Sequence, residues 1–172
     1  MTQAQRTAAE AFQAQRGTPV FGPFVPLLRS PELMPRLAAV GQHCRYHNAL
    51  GSRLAEFIVL LVSRRFSADL EWDIHAPIAE RAGVAAETIA DLKAGRRPQV
   101  MAVDEALVYD TVEELWRHHG LSDASYAAVV EAFGEAGVID LTATVGYYAT
   151  LALVLNVART PSPSGTTLPR LP

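Results

Sequence analysis

Three titratable residues pose the question in this chain: Glu56, Glu71 and His75, within EFIVLLVSRRFSADLEWDIH. Glu71 and His75 lie four residues apart, so on a helix they share one face. Glu56 heads six consecutive apolar residues, Phe57 to Val62. A carboxylate buried at the head of such a run is costly unless it finds a partner. The chemistry open to this trio is proton transfer. A histidine held by one carboxylate has a fixed tautomer, and its other nitrogen can then hand a proton to a substrate. A second carboxylate can accept, relay or orient. The rival is a satisfied polar cluster that ties two helices together, and from spacing alone that rival is the stronger.

The elements that must position these groups are helices. Apolar residues surround the segment from Arg53 to Phe66 almost completely, which marks a central, buried helix. A second helix, from Ala68 to Arg81, follows with little linker, and Gly83 closes it as a C-cap. Glu71, His75, Ile78, Ala79 and Ala82 share one face, which turns apolar beyond His75 and so points inward. Two helices joined by a tight turn pack antiparallel, which brings Glu56 toward His75. Further helices are expected from Ala85 to Lys93 and from Asp104 to His119. Another starts at Ser122 and stops at Gly137, and the last runs from Val138 to Ala158.

Upstream, Thr2 to Gln15 reads as a mobile, weakly amphipathic helix. The stretch GTPVFGPFVPLLRSP is irregular and extended. Ser30 is an N-cap candidate with Pro31 at the first helical position, and Ser52 is a candidate cap for the central helix. No period-two alternation is sustained, so the fold class is all-α: a single-domain helical bundle. The expected organisation is an N-terminal helix and extended segment over 1–30, a helical domain over 31–158 and a Pro-rich arm over 159–172. The arm is expected to be extended or disordered, or ordered on a partner subunit.

Composition narrows the function. With 49% apolar and 19% charged residues the chain is ordinary for a globular protein. A formal net charge of -3 gives no general attraction to nucleic acid or to an anionic membrane. Cys44 is the single cysteine, which rules out an internal disulfide or a CxxC pair and fits a reducing cytoplasm. The N-terminus has no apolar signal core. Val138 to Ala158 holds Asp140, Asn156, three Thr and two Tyr, and reads as a buried helix rather than a membrane span. A cytoplasmic protein is expected.

Other residues take plain readings first. Cys44 has basic neighbours in HCRYH but reads as a small core residue. Tyr147 and Tyr148 read as core aromatics, one of whose hydroxyls could line a pocket. Arg64-Arg65 and Arg96-Arg97 read as solvated helix-end charges. The stretch IAERAGVAAETIADLKAGRRP has the outline of a helix-turn-helix. Its second helix would offer DNA only Thr88 and Lys93 beside Glu87 and Asp91, which suits phosphate poorly.

Glu56 followed by Glu71-Trp72-x-x-His75, then Ala79, Ala82-Gly83-Val84 and Glu87-x-Ile89, resembles the carboxymuconolactone decarboxylase family. Its superfamily includes the alkylhydroperoxidase D-like enzymes. The resemblance is best from about Pro31 to His119 and continues more loosely through Gly146-Tyr147-Tyr148 and Leu155-Asn156-Val157. It implies all-α units that assemble as homo-trimers or hexamers. It also implies cofactor-free, metal-free lyase chemistry on a small lactone or carbonyl acid from aromatic breakdown. In that reading His75 donates or shuttles the proton, Glu56 orients it, and Glu71 is a second acid/base. Trp72 and Tyr147 contribute the substrate wall, and Arg53, Arg64 or Arg81 meets a substrate carboxylate. The hydroperoxidase branch carries CxxCxxxH; here Ala68 and Glu71 stand at the cysteine positions. Thiol peroxidase chemistry is therefore the disfavoured alternative, and DNA binding is the second.

Overall fold

The computed structural model describes residues 1–169, which form eight α-helices and one π-helical turn with no strand among them. The helices are α1 (Gln3–Arg16), α2 (Phe24–Leu27), α3 (Leu33–Gln42), α4 (Ser52–Arg65), α5 (Asp69–Arg81), α6 (Ala86–Lys93), α7 (Val103–His118) and α8 (Asp123–Ala158). The π turn, His43–His47, extends α3.

The central helix is α4, which touches α5, α6, α7, α8 and the π turn. Its apolar run is sealed from solvent: Phe57, Ile58, Val59, Leu60 and Val62 are all fully buried. Burial of side chains of this size contributes about 1.5–3 kcal/mol each relative to exposure. The turn into α5 is tight because α4 ends in a Schellman motif. Ala68 N–H donates to the Ser63 carbonyl at 2.8 Å and Ser67 N–H to the Arg64 carbonyl at 3.1 Å. Ser67 takes the left-handed conformation this motif needs, with φ 47°. Asn156 Nδ2, from α8, donates to the Phe66 carbonyl at 2.8 Å and pins the turn to the end of the bundle.

Several boundaries differ from those read in the sequence. Ser30 makes no side-chain cap, and α3 begins at Leu33 with Pro31 outside it. Ser52 is the first residue of α4, and Gly51 precedes it at φ 81°. Gly137 does not stop a helix. The helical run is continuous from Asp123 to Ala158 except at Gly134, whose φ of 73° lies in the left-handed region. Gly137 is buried inside the run, and a Cβ there would collide with Phe133. Its small size serves packing, whereas Gly134 supplies the break.

The chain ends are docked on the body. Thr2 and Gln5 form a capping box on α1, and Phe12 inserts into a cluster with Phe21 and Phe24. The segment after α8 lies back over the start of α5. Ser162 and Ser164 donate to the Asp73 carboxylate, Leu168 N–H donates to Asp69 Oδ1 at 2.8 Å, and the Leu168 side chain is buried. The described part of the expected free arm is thus a clasp on its own chain. Residues 170–172 lie outside the described region.

Candidate active site

Glu56 stands one turn into α4 and His75 in the middle of α5, and the antiparallel packing brings them into contact. His75 Nδ1 lies 2.6 Å from Glu56 Oε2, with both side chains buried. The other carboxylate oxygen, Oε1, accepts from Arg45 Nε at 3.1 Å and from its terminal nitrogen at 3.0 Å. The π turn delivers Arg45 to this position. Burial alone would raise the Glu56 carboxyl, but the His75 hydrogen bond and the nearby charges of His75 and Arg45 hold it below its ordinary value. An ionised carboxylate offers only lone pairs, so Nδ1 must carry the hydrogen. Nε2 is left to take or give a proton, and it has no hydrogen-bond partner among the described residues. Tyr148 packs its ring edge-on to the imidazole at 5.3 Å, which fixes the ring plane.

Glu71 is one turn before His75 on the same helix and has an opposite environment. It is 2% exposed, its Oε2 has no hydrogen-bond partner among the described residues, and no cation neutralises it. Burial pushes its carboxyl well above the ordinary range. Burial without a cation thus favours the protonated, neutral form of Glu71 over the carboxylate, the opposite of the bias on Glu56.

Glu71 and His75 line one small cavity of about 40 Å³, with Arg16, Arg45, Tyr147 and Tyr148 supplying its other polar groups. Phe21, Phe24, Ile74 and Leu151 make the apolar wall. The Tyr147 hydroxyl packs against Gly41 of α3, where any Cβ would overlap it. Burial raises both tyrosine hydroxyls far above their ordinary value, so they are donors rather than phenolates.

Of the residues expected at the site, Glu71, His75 and Tyr147 reach the cavity, and Glu56 supports it from behind. Trp72 is buried but points elsewhere in the core and does not line it. None of the three arginines proposed for a substrate carboxylate is present. Arg53 pairs with Asp104 and Glu105, the latter at 2.6 Å. Arg64 is buried rather than solvated and donates through Nε to the Lys93 carbonyl at 2.9 Å, while Arg81 is exposed. The cations of the cavity are Arg16 and Arg45, which sequence reasoning missed. Arg45 had a signal in the basic cluster HCRYH; Arg16 had none beyond its charge.

Two other histidine or cysteine features lie apart from the cavity. His43 Nε2 meets Asp140 Oδ1 at 2.7 Å, and Asp140 Oδ2 accepts from Ala49 N–H at 2.8 Å; this pair ties the π turn to α8 at a half-exposed position. Cys44 is buried, and burial raises its thiol. In the helix-turn-helix outline, Thr88 is fully buried and donates to the Val100 carbonyl, so it is not available to DNA.

No family model matches the chain, and no curated protein or solved structure matches it.

Proposed function

We propose that the protein is a cofactor-free acid/base enzyme acting on a small acid. The more particular reading is a lyase of the carboxymuconolactone decarboxylase type, on the alkylhydroperoxidase D-like helical scaffold. The observation that carries the proposal is the unequal treatment of two buried carboxylates at one cavity. Glu56 is hydrogen-bonded to His75 and held below its ordinary value, while Glu71 has an unpartnered oxygen and is raised by burial. Pairs of titratable groups whose environments push them apart are the usual basis of acid/base assignment.

In the decarboxylation, the bond between the substrate carbon skeleton and its carboxylate breaks. Carbon dioxide leaves, and the electron pair passes into the conjugated carbonyl as a dienolate. A proton from His75 Nε2 or Glu71 quenches that carbanion equivalent at carbon. Arg16 and Arg45 offset the negative charge on substrate and dienolate, and the apolar wall keeps water from competing. His75 is the shuttle, Glu56 the group that holds it, and Glu71 the proton reserve. Assembly as a homo-oligomer and a cytoplasmic setting go with this reading.

The test is turnover of carboxymuconolactone, followed by loss of substrate and release of carbon dioxide. Wild-type turnover should fall by about 10²–10⁴-fold in His75→Ala, the usual contribution of a positioned proton-transfer group. Full activity in His75→Ala would sink the proposal. Peroxide turnover abolished by Cys44→Ser would replace it with thiol chemistry.

A further inference from the structure

The arginine pairs that read in the sequence as solvated helix-end charges have different surroundings in the fold. Arg96 is answered by Asp91 at 2.6 Å and Arg97 by Asp110 at 3.0 Å. Arg64 and Arg65, in the last turn of α4, meet no carboxylate among the described residues. Arg65 is exposed and lies over the Trp116 ring, 5.4 Å from its centroid. Arg64 is 5% exposed. Its Nε donates to the Lys93 carbonyl, and its Nη1 is buried with no hydrogen-bond partner among the described residues. A guanidinium stays protonated in proteins, so a single carbonyl leaves Arg64 with a buried charge that no anion offsets.

Arg64 and Arg65 line a pocket of about 340 Å³ formed by α4, the end of α6 and α7. It shares no residue with the cavity of Glu71 and His75. Arg64 stands about 12 Å beyond Glu56 along the helix axis. Small-molecule pockets usually measure about 300–1,000 Å³ and join apolar and aromatic area to a few placed polar groups. Here Leu61, Leu92, Tyr109 and Trp116 supply that area. The charged groups are Arg64, Arg65 and Arg96, with Glu113 as the carboxylate. Asp91 cancels Arg96, and Glu113 offsets one of the other two, so a single positive charge is left over. That surplus suits a monoanion. Phosphate carries more than one negative charge near neutral pH and would be repelled more strongly by Glu113.

We infer that this pocket is a second binding site, for an aromatic carboxylate, with the carboxylate on Arg64 and Arg65 and the ring against Trp116, Leu61 and Leu92. Arginine presents a planar fork that matches a carboxylate. Its charge is delocalised over that plane, so an anion at the open edge of Arg64 also offsets the charge held at Nη1. The half-buried indole gives a planar ring a face or an edge to pack on. The site stands independently of the proton-transfer chemistry, since a ligand held here touches no residue of that cavity.

The experiment follows the two tryptophan indole N–H resonances of the full-length ¹⁵N-labelled protein during titration with benzoate, benzamide, acetate and inorganic phosphate. The Trp116 resonance is assigned by its loss in Trp116→Phe. Benzoate should move it saturably and leave that of Trp72 in place, because Trp72 lines neither pocket. Benzamide lacks the charge, acetate lacks the ring, and phosphate carries excess charge. Each should bind at least about tenfold more weakly, a factor equal to about 1.4 kcal/mol. Arg64→Gln should weaken benzoate by at least the same factor, and Glu113→Gln, which removes the opposing charge, should tighten it by about threefold. Absence of a saturable wild-type response, equal binding of benzamide or of phosphate, or unchanged benzoate affinity in folded Arg64→Gln would each overturn the inference. If Arg64→Gln does not fold, the wild-type selectivity and Glu113→Gln decide. Benzoate bound no more tightly by Glu113→Gln than by wild type would then overturn it.

Discussion

The two sides of the cavity treat a buried carboxylate in opposite ways. On the α4 side, Glu56 has every reason to be ionised: His75 meets one oxygen, and Arg45 meets the other. On the α5 side, Glu71 has the same chemistry, similar burial and no cation. The difference is not one of depth but of who stands within hydrogen-bond reach. Partner groups can outweigh desolvation, and where they are missing desolvation decides. The same contrast separates this site from His43–Asp140, whose pairing is as short but whose half-exposed position faces no cavity. A histidine–carboxylate pair gains chemical meaning here from the second, unpaired acid beside it.

The contrast breaks most completely if Glu56 is removed. Glu56→Ala strands Arg45 and His75 in the interior, and loss of one partner from a buried ion pair costs about 3–5 kcal/mol. Chemical denaturation should show a drop of that size, with turnover lost as well. Glu56→Gln preserves shape and should cost less stability while still abolishing the fixed Nδ1–H tautomer. A Glu56→Ala protein as stable as the wild type would mean that the pair is not an ionic one.

Glu71 should respond in the opposite direction. Its unpartnered oxygen is a polar atom held against its preference, so Glu71→Met should raise stability by about 1–2 kcal/mol. Turnover should be lost in the same variant, a trade of stability for function. Thermal or denaturant unfolding reads the first effect; a loss of stability would show Glu71 to be satisfied in the native state. The pH dependence separates the two carboxylates further. A raised carboxyl such as Glu71 favours folding below its unfolded value of 4.5, and that contribution is lost as pH rises through its folded value. A lowered one such as Glu56 contributes above 4.5 and is lost as pH falls through its folded value. The stability gap between Glu71→Gln and wild type should therefore widen with rising pH, and that between Glu56→Gln and wild type should change as the solution is acidified.

How much of this was legible in the sequence follows from the range of each interaction. The apolar run of α4 and the short turn after it are local, and together they favour antiparallel packing, which brings Glu56 toward His75 without forcing their contact. The unpaired state of Glu71 is not local, because it depends on which cations the fold withholds. Arg16 and Arg45 come from elements whose path is set by tertiary packing, including a π turn that no simple periodicity announces. Gly134 and Gly137 look alike in sequence, but only the packing of Phe133 and Leu50 over Gly137 shows which of them stays helical. The segment 159–169 lacks apolar periodicity, so it reads as a free arm. Its serines and Leu168 find acceptors and a pocket on α5 that are invisible from composition.

A third carboxylate, on the same helix as Glu71, supplies the smallest and finest test. Asp73 lies two residues beyond Glu71, faces outward and has hydroxyls in place of cations. Burial would raise it slightly, but Ser162, Ser164 and Thr166 hold it below its ordinary 3.8. Hydrogen bonds to an ionised group near the surface are screened by solvent, and about 0–1 kcal/mol is the usual scale for exposed charged contacts. Asp73→Asn should therefore change global stability by less than about 1 kcal/mol. Its effect should be local: amide exchange at residues 162–168 should quicken, while exchange in α4 stays at the wild-type rate. Because the folded Asp73 value is lowered, its hold on the clasp is present above pH 3.8 and fades as pH falls through the folded value. Unchanged exchange at 162–168 in Asp73→Asn would show that Leu168 and Asp69 alone fasten the segment. Asp73 would then fall outside the rule that distinguishes Glu56 from Glu71, in which the partner groups, and not the helix or the burial, decide what a carboxylate does.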